Sequence, residues 1–90
     1  MAKKRDLKQK INHISGELFA EVVAASLYGT VTNAKNTESL LSTIIVTRND
    51  FIKRISHPEP GMPAKKYYNR LIMDFEARVS DIIDQIENLG

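Results

Sequence analysis

Apolar residues recur at spacings of three and four in three long stretches of this chain, separated by two segments that lack the pattern and are rich in helix breakers. In the first stretch Leu7, Ile11, Ile14, Leu18, Val22 and Ala25 fall on one helical face, which predicts a helix over about 6–28. Asp6 with Gln9 three residues on reads as a capping-box start, and Gly29 suits the left-handed position after a helix end. In the second stretch Leu40, Leu41, Ile44, Ile45, Arg48, Phe51, Ile52 and Ile55 predict a helix over about 37–56, with Asn36 or Thr37 as N-cap. Its β-branched run from Thr43 to Thr47 favours a strand when taken alone. No second strand-like segment exists to pair with it, and a solitary strand leaves its backbone unsatisfied, so the helix is retained.

The third stretch is the most regular. Tyr68, Ile72, Phe75, Val79, Ile82, Ile86 and Leu89 alternate steps of four and three, a heptad seam over about 63–88, with Pro63 in the first turn where a missing N–H costs nothing. Pro58 disfavours helical geometry at His57, which ends the second helix near Ser56. Three helices of ~30 to 39 Å, joined by the breaker segments 29–36 and 56–63, predict an all-α, up-down-up three-helix bundle forming a single domain. Residues 1–5 are expected to be a flexible basic tail.

From Leu18 to Tyr28, nine of eleven residues are apolar or aromatic, more than one bundle helix needs for its own core. Part of that surface is therefore expected to remain exposed and to serve self-association, a homodimer being favoured over other protein partners. The plainer reading is that Ala20, Ala24 and Ala25 only let helices approach closely.

Composition narrows the classes. With 42% hydrophobic and 27% charged residues in 90, the chain has enough apolar content for one small core. The absence of cysteine removes disulfides, thiolate metal sites and cysteine nucleophiles. The Met-Ala-Lys-Lys-Arg start and the lack of a long apolar run predict neither a secretory signal nor a membrane span, so a cytoplasmic location is expected.

Net charge is only +2, but its distribution is uneven. In an up-down-up bundle, residues 1–16 and 47–75 share one end and hold eleven Lys and Arg against four Asp and Glu, a net of +7. The other end holds two bases against seven acids, a net of −5. Helix dipoles favour acids at N-termini and bases at C-termini; the second helix follows this and the first and third reverse it. Lys3, Lys4, Arg5, Lys53, Arg54, His57, Lys65, Lys66, Tyr67 and Arg70 are therefore candidates for binding an anion or a partner, nucleic acid included. Complementary ends also suit an antiparallel dimer, and an ordinary solvated surface remains the plain alternative.

Three prolines in six positions stiffen His57-Pro58-Glu59-Pro60-Gly61-Met62-Pro63. Tyr67 follows among Lys65, Lys66 and Arg70, where it is placed either to pack on the prolines or to stack a base. The stretch Ser56-His57-Pro58-Glu59-Pro60-Gly61-Met62-Pro63-Ala64-Lys65-Lys66-Tyr67 resembles a loop in a group of short uncharacterised bacterial helical proteins. That resemblance implies a compact helical fold and brings no activity with it.

Most site chemistry is absent. His13 and His57 belong to no metal-ligand cluster, and His13 with Glu17 one turn later reads first as a surface pair. Glycines at 16, 29, 61 and 90 cannot form a phosphate loop. The size invites comparison with small all-helical chorismate mutases. Their cationic cage needs bases along the helices, and none follows Lys10 in the first helix and only Arg78 follows Arg70 in the third. Long helices with long connections also argue against a helix-turn-helix reader. The expectation is a non-enzymatic bundle without cofactor or metal, acting through protein contacts, with anion binding as the alternative.

Overall fold

A computed structural model describes residues 4–28 and 34–88. Helix α1 spans Lys4–Tyr28, α2 spans Ala34–Ser56 and α3 spans Ala64–Glu87, and the described residues contain no strand. The molecule measures 48 × 18 × 16 Å, a rod longer than its longest helix, whose 25 residues span about 37 Å.

The order of buried residues gives the topology. One core cluster joins Leu7 and Ile11 of α1 to Phe51 and Ile55 of α2 and Leu71 and Phe75 of α3. A second joins Leu18 and Val22 to Leu40, Ile44 and Ile82. α1 and α3 run from the first cluster to the second and α2 runs back, so the bundle is up-down-up. Ile14 and Val79 pack against both clusters and make the core continuous. α1 lies along α2 more extensively than either lies on α3. Each fully buried aliphatic side chain, such as Ile55 or Val22, contributes about 1.5–3 kcal/mol through burial.

Helix starts differ from the sequence expectation. α1 begins at Lys4, so Asp6 is an acid in the first turn rather than a cap, and Lys4 and Arg5 are helical rather than tail. No breaker precedes Asp6, and Lys and Arg are good helix formers, so the helix extends through them. Met1–Lys3 lie outside the described residues, as do Gly29 and Leu89. α2 begins at Ala34, which puts Asn36 and Thr37 inside the helix, and Thr37 is buried rather than capping. Pro63 is the N-cap of α3, with φ −56° and ψ 134°, one residue ahead of the helix it was expected to join. Its carbonyl accepts from the Tyr67 N–H at 3.0 Å.

The β-branched run is helical throughout. Thr43 donates its hydroxyl to the Ser39 carbonyl at 2.9 Å, and Ile44 between its neighbours is buried in the second cluster. Tertiary burial thus outweighs local strand preference.

The core stripe also departs from the heptad reading in α3. Leu71 is 3% exposed although it lies off the predicted seam, while Ile72 beside it is only half-buried. A helix that meets two neighbours needs a wider apolar stripe than a two-stranded seam provides. On α2, Ile45 was assigned to the core and is 44% exposed.

Candidate interaction surfaces

The basic end is built around the proline loop. Four terminal carbonyls of any helix lack intrahelical donors. At the end of α2, Lys53 receives the His57 N–H at 3.1 Å. Arg54 accepts from the Tyr67 hydroxyl at 3.0 Å, and Ile55 accepts from the Tyr68 hydroxyl at 3.2 Å. Tyr67 also reaches the His57 carbonyl at 3.4 Å. The first turn of α3 therefore caps the last turn of α2. Between them, Met62 donates its N–H to the Glu59 carbonyl at 3.4 Å, closing a turn with Pro60 and Gly61 at its centre. Gly61 has φ +85°, the third-position geometry of a type II turn.

Arg54 is equally committed. Its guanidinium contacts Asp50 at 3.0 Å and Asp74 at 4.0 Å and lies 4.9 Å from the Phe51 ring centroid. The Asp50 and Phe51 contacts hold the guanidinium along α2 and the longer Asp74 contact reaches α3, which leaves Arg54 a structural part, as the hydroxyl bonds do Tyr67. A groove of about 680 Å³ runs beside them, with His57, Glu59, Arg70 and Asp74 among its lining residues. Its charges are mixed in sign.

Lys65, Lys66 and Arg70 instead share a shallower depression of about 490 Å³ with Pro63, Asn69 and Met73, and no carboxylate lines it. Lys53, Lys4 and Arg5 are exposed and line neither hollow, and Lys3 lies outside the described residues. The nine described candidates therefore share an end of the rod without converging on one cavity. His13 and Glu17 pair on the surface at 3.1 Å, as their spacing suggested. Among the described residues, no three His, Asp or Glu stand where they could hold a metal ion. No described helix is long and apolar enough to cross a membrane.

A second surface lies where α1 and α2 meet, reaching down to buried Ser15 and Ile44, with no residue of α3 lining it. Asn12, Ser15, Gly16, Phe19, Ile45 and Arg48 are among the residues lining a notch of about 180 Å³. Arg48, expected in the core stripe, is half-buried; its Nε donates to Asn12 Oδ1 at 2.7 Å and its Nη1 to Asn49 Oδ1 at 2.9 Å. Its stem lies along the helices while its head bridges them. Val23 and Leu27 follow Phe19 at steps of four on α1, and Leu41 precedes Ile45 by four on α2, so the face continues as an apolar strip toward the acidic end. Leu27 is 68% exposed, and Val46 beside Ile45 is 66% exposed.

The surplus of apolar surface in Leu18–Tyr28 was legible in the sequence; the contribution of α2 was not assigned. The signal was present in Ile44-Ile45-Val46, three apolar residues in a row where one helix face can bury only part of them.

The chain matches no family model, no curated protein and no solved structure.

Proposed function

We propose that this protein is a non-enzymatic bundle that works by binding protein, through the α1–α2 face. The observation that carries the reading is the apolar strip of exposed Leu27 and Ile45 with Phe19, which packs on the second core cluster and is still half exposed after the three helices have built a continuous core. Contiguous exposed apolar surface on a small domain marks contact sites far more than it serves the fold. The hollow at the proline loop supports the same conclusion by contrast, because its aromatic hydroxyl is occupied in holding α3 to α2 and one of its arginines is paired with Asp50 and Asp74. Absence of cysteine suits a reducing compartment, and we place the chain in the cytoplasm.

Hydroxyl-radical footprinting tests this directly. Phe19, Leu27 and Ile45 are compared in producing cells and in dilute purified protein, with the exposed Met73 of α3 as internal reference. Protection of the three in cells, with Met73 unchanged, is the expected result. Equal reactivity in both settings overturns the reading.

One observation favours a second reading. Lys65, Lys66 and Arg70 line a depression free of carboxylates, a surface suited to phosphates of nucleic acid or another anionic ligand. Under that reading a short single-stranded oligonucleotide binds at low salt and is released steeply as salt rises, and joint replacement of the three bases by Ala abolishes binding. Protection of Met73 in cells, with Ile45 unprotected, would promote it over the first.

A further inference from the structure

We infer that the occupant of the α1–α2 face is a second copy of this chain, docked antiparallel across Gly16. This rests on the reading of that face as a protein-binding surface and adds the partner and its orientation.

Gly16 stands midway along α1, between Lys4 and Tyr28, in the helix interior where glycine is less favourable than alanine. Nothing among the described residues accounts for it. A Cβ built there meets no atom within 4 Å, so neither α2 nor α3 approaches closely enough to require its absence. The residue opens outward into the notch lined by Asn12, Phe19, Ile45 and Arg48. A helix glycine that buys nothing inside its own fold suits close approach by an outside backbone.

Charge selects the approaching molecule. Among the described residues, the end of the rod holding the start of α1 carries ten Lys and Arg against four Asp and Glu, a net of +6, and the other end −5. A two-fold axis through Gly16 lays each basic end over the partner's acidic end. On the face itself, Lys8 lies two turns before Gly16, and Glu38 of α2 lies about as far beyond it toward the acidic end. A parallel arrangement sets like ends together, which is repulsive. A chain with one apolar strip and opposite ends is complementary to itself only when antiparallel, the self-matching geometry of a closed two-fold dimer. Phe19 and Ile45 then lie nearest the axis, while Leu27, eleven residues beyond Gly16, lies along the stem of the partner's Arg5, eleven residues before it.

Sedimentation equilibrium of the wild-type chain and of Gly16→Ala, with thermal melts at a dilution where single copies dominate, tests the inference. The wild type is expected at twice 10.2 kDa. Gly16→Ala is expected to melt about 2–6 °C higher as a single copy, because alanine is the better helix former, yet to dimerise at least ~10-fold more weakly. Opposite signs on folding and association are what an outside approach at Gly16 requires, and loss of folding cannot imitate them. Ile45→Asp gives a second, independent route to single copies. For orientation, single cysteines are introduced into this cysteine-free chain. Arg5→Cys mixed with Leu27→Cys should form the cross-linked pair, and each alone should not.

A wild type that remains single-copy at high concentration overturns the inference. If Phe19, Leu27 and Ile45 are nevertheless protected in cells, the face binds another protein and only the second copy is excluded; if they are not, the reading of the face falls too. A dimer indifferent to Gly16→Ala, or one that cross-links Arg5→Cys to itself, also overturns it.

Discussion

Tyr67 and Tyr68 are adjacent in the chain and stand edge to face, with ring centroids 5.4 Å apart and planes at 81°, so that their hydroxyls reach two successive carbonyls of α2, those of Arg54 and Ile55. Each bond spans thirteen residues. The pair closes the proline loop from the outside and supplies donors that α2 cannot provide for itself. This is why the loop connects two helices stiffly rather than projecting as a free recognition element.

Removing one hydroxyl should therefore loosen the junction without harming the rings. Tyr68→Phe leaves the Ile55 carbonyl without that donor in a partly buried setting and should cost about 1 kcal/mol. Tyr67→Phe, at an exposed bond, should cost less, since water can replace the donor. Urea melts of the two variants check the order.

Gly61 is the other fixed point of the junction. Its φ of +85° is reached by other L-residues only with strain, so Gly61→Ala should destabilise by about 1–2 kcal/mol although open space surrounds the position. The contrast with Gly16→Ala, stabilising at an equally open helical site, separates conformation from crowding. Thermal melts of both variants side by side give the comparison.

Phe51 and Phe75 join α2 to α3 with centroids 5.2 Å apart at 70°. A double-mutant cycle to Leu should show coupling of about 0.5–1.5 kcal/mol beyond the single losses. By comparison Ile55→Ala, a fully buried site, should cost about 2–5 kcal/mol, and Val46→Ala, on the exposed side of the same helix, should lie within about 0.5 kcal/mol of neutral.

Arg54→Ala should cost about 1 kcal/mol, because its two ion pairs are half exposed and its packing over Phe51 adds a share that salt does not screen. Melts at low and high salt distinguish the shares: a cost that vanishes in 1 M salt would assign it all to charge.

Much of this architecture is legible in the sequence alone. The step pattern Leu7, Ile11, Leu18, Val22 named the buried face of α1, and Pro58 marked the end of α2 to within a residue. The starts were less legible, because Lys4, Arg5 and Ala34 carry no stop signal and caps compete weakly with residues that favour helix. Leu71 and Ile45 exchanged roles with expectation for a geometric reason. Periodicity gives a face, but which edge of that face is covered depends on where the third helix lies. The basic end was visible in the charges, yet Arg54 and Tyr67 turned out to hold the loop, which no spacing rule distinguishes from holding a ligand. Ser15, buried between the larger core residues of α1, offered no apolar signal at all.

The central claim is that the α1–α2 face contacts protein, and site-specific photo-cross-linking tests it most directly. A photoreactive residue placed at Ile45, on the notch, is compared in producing cells with one at Ser80, exposed on α3. The account predicts a discrete covalent protein adduct from the Ile45 position, lost when Gly16→Arg fills the notch with a charge, and none from Ser80. No adduct at Ile45, or one undiminished by Gly16→Arg, would contradict it.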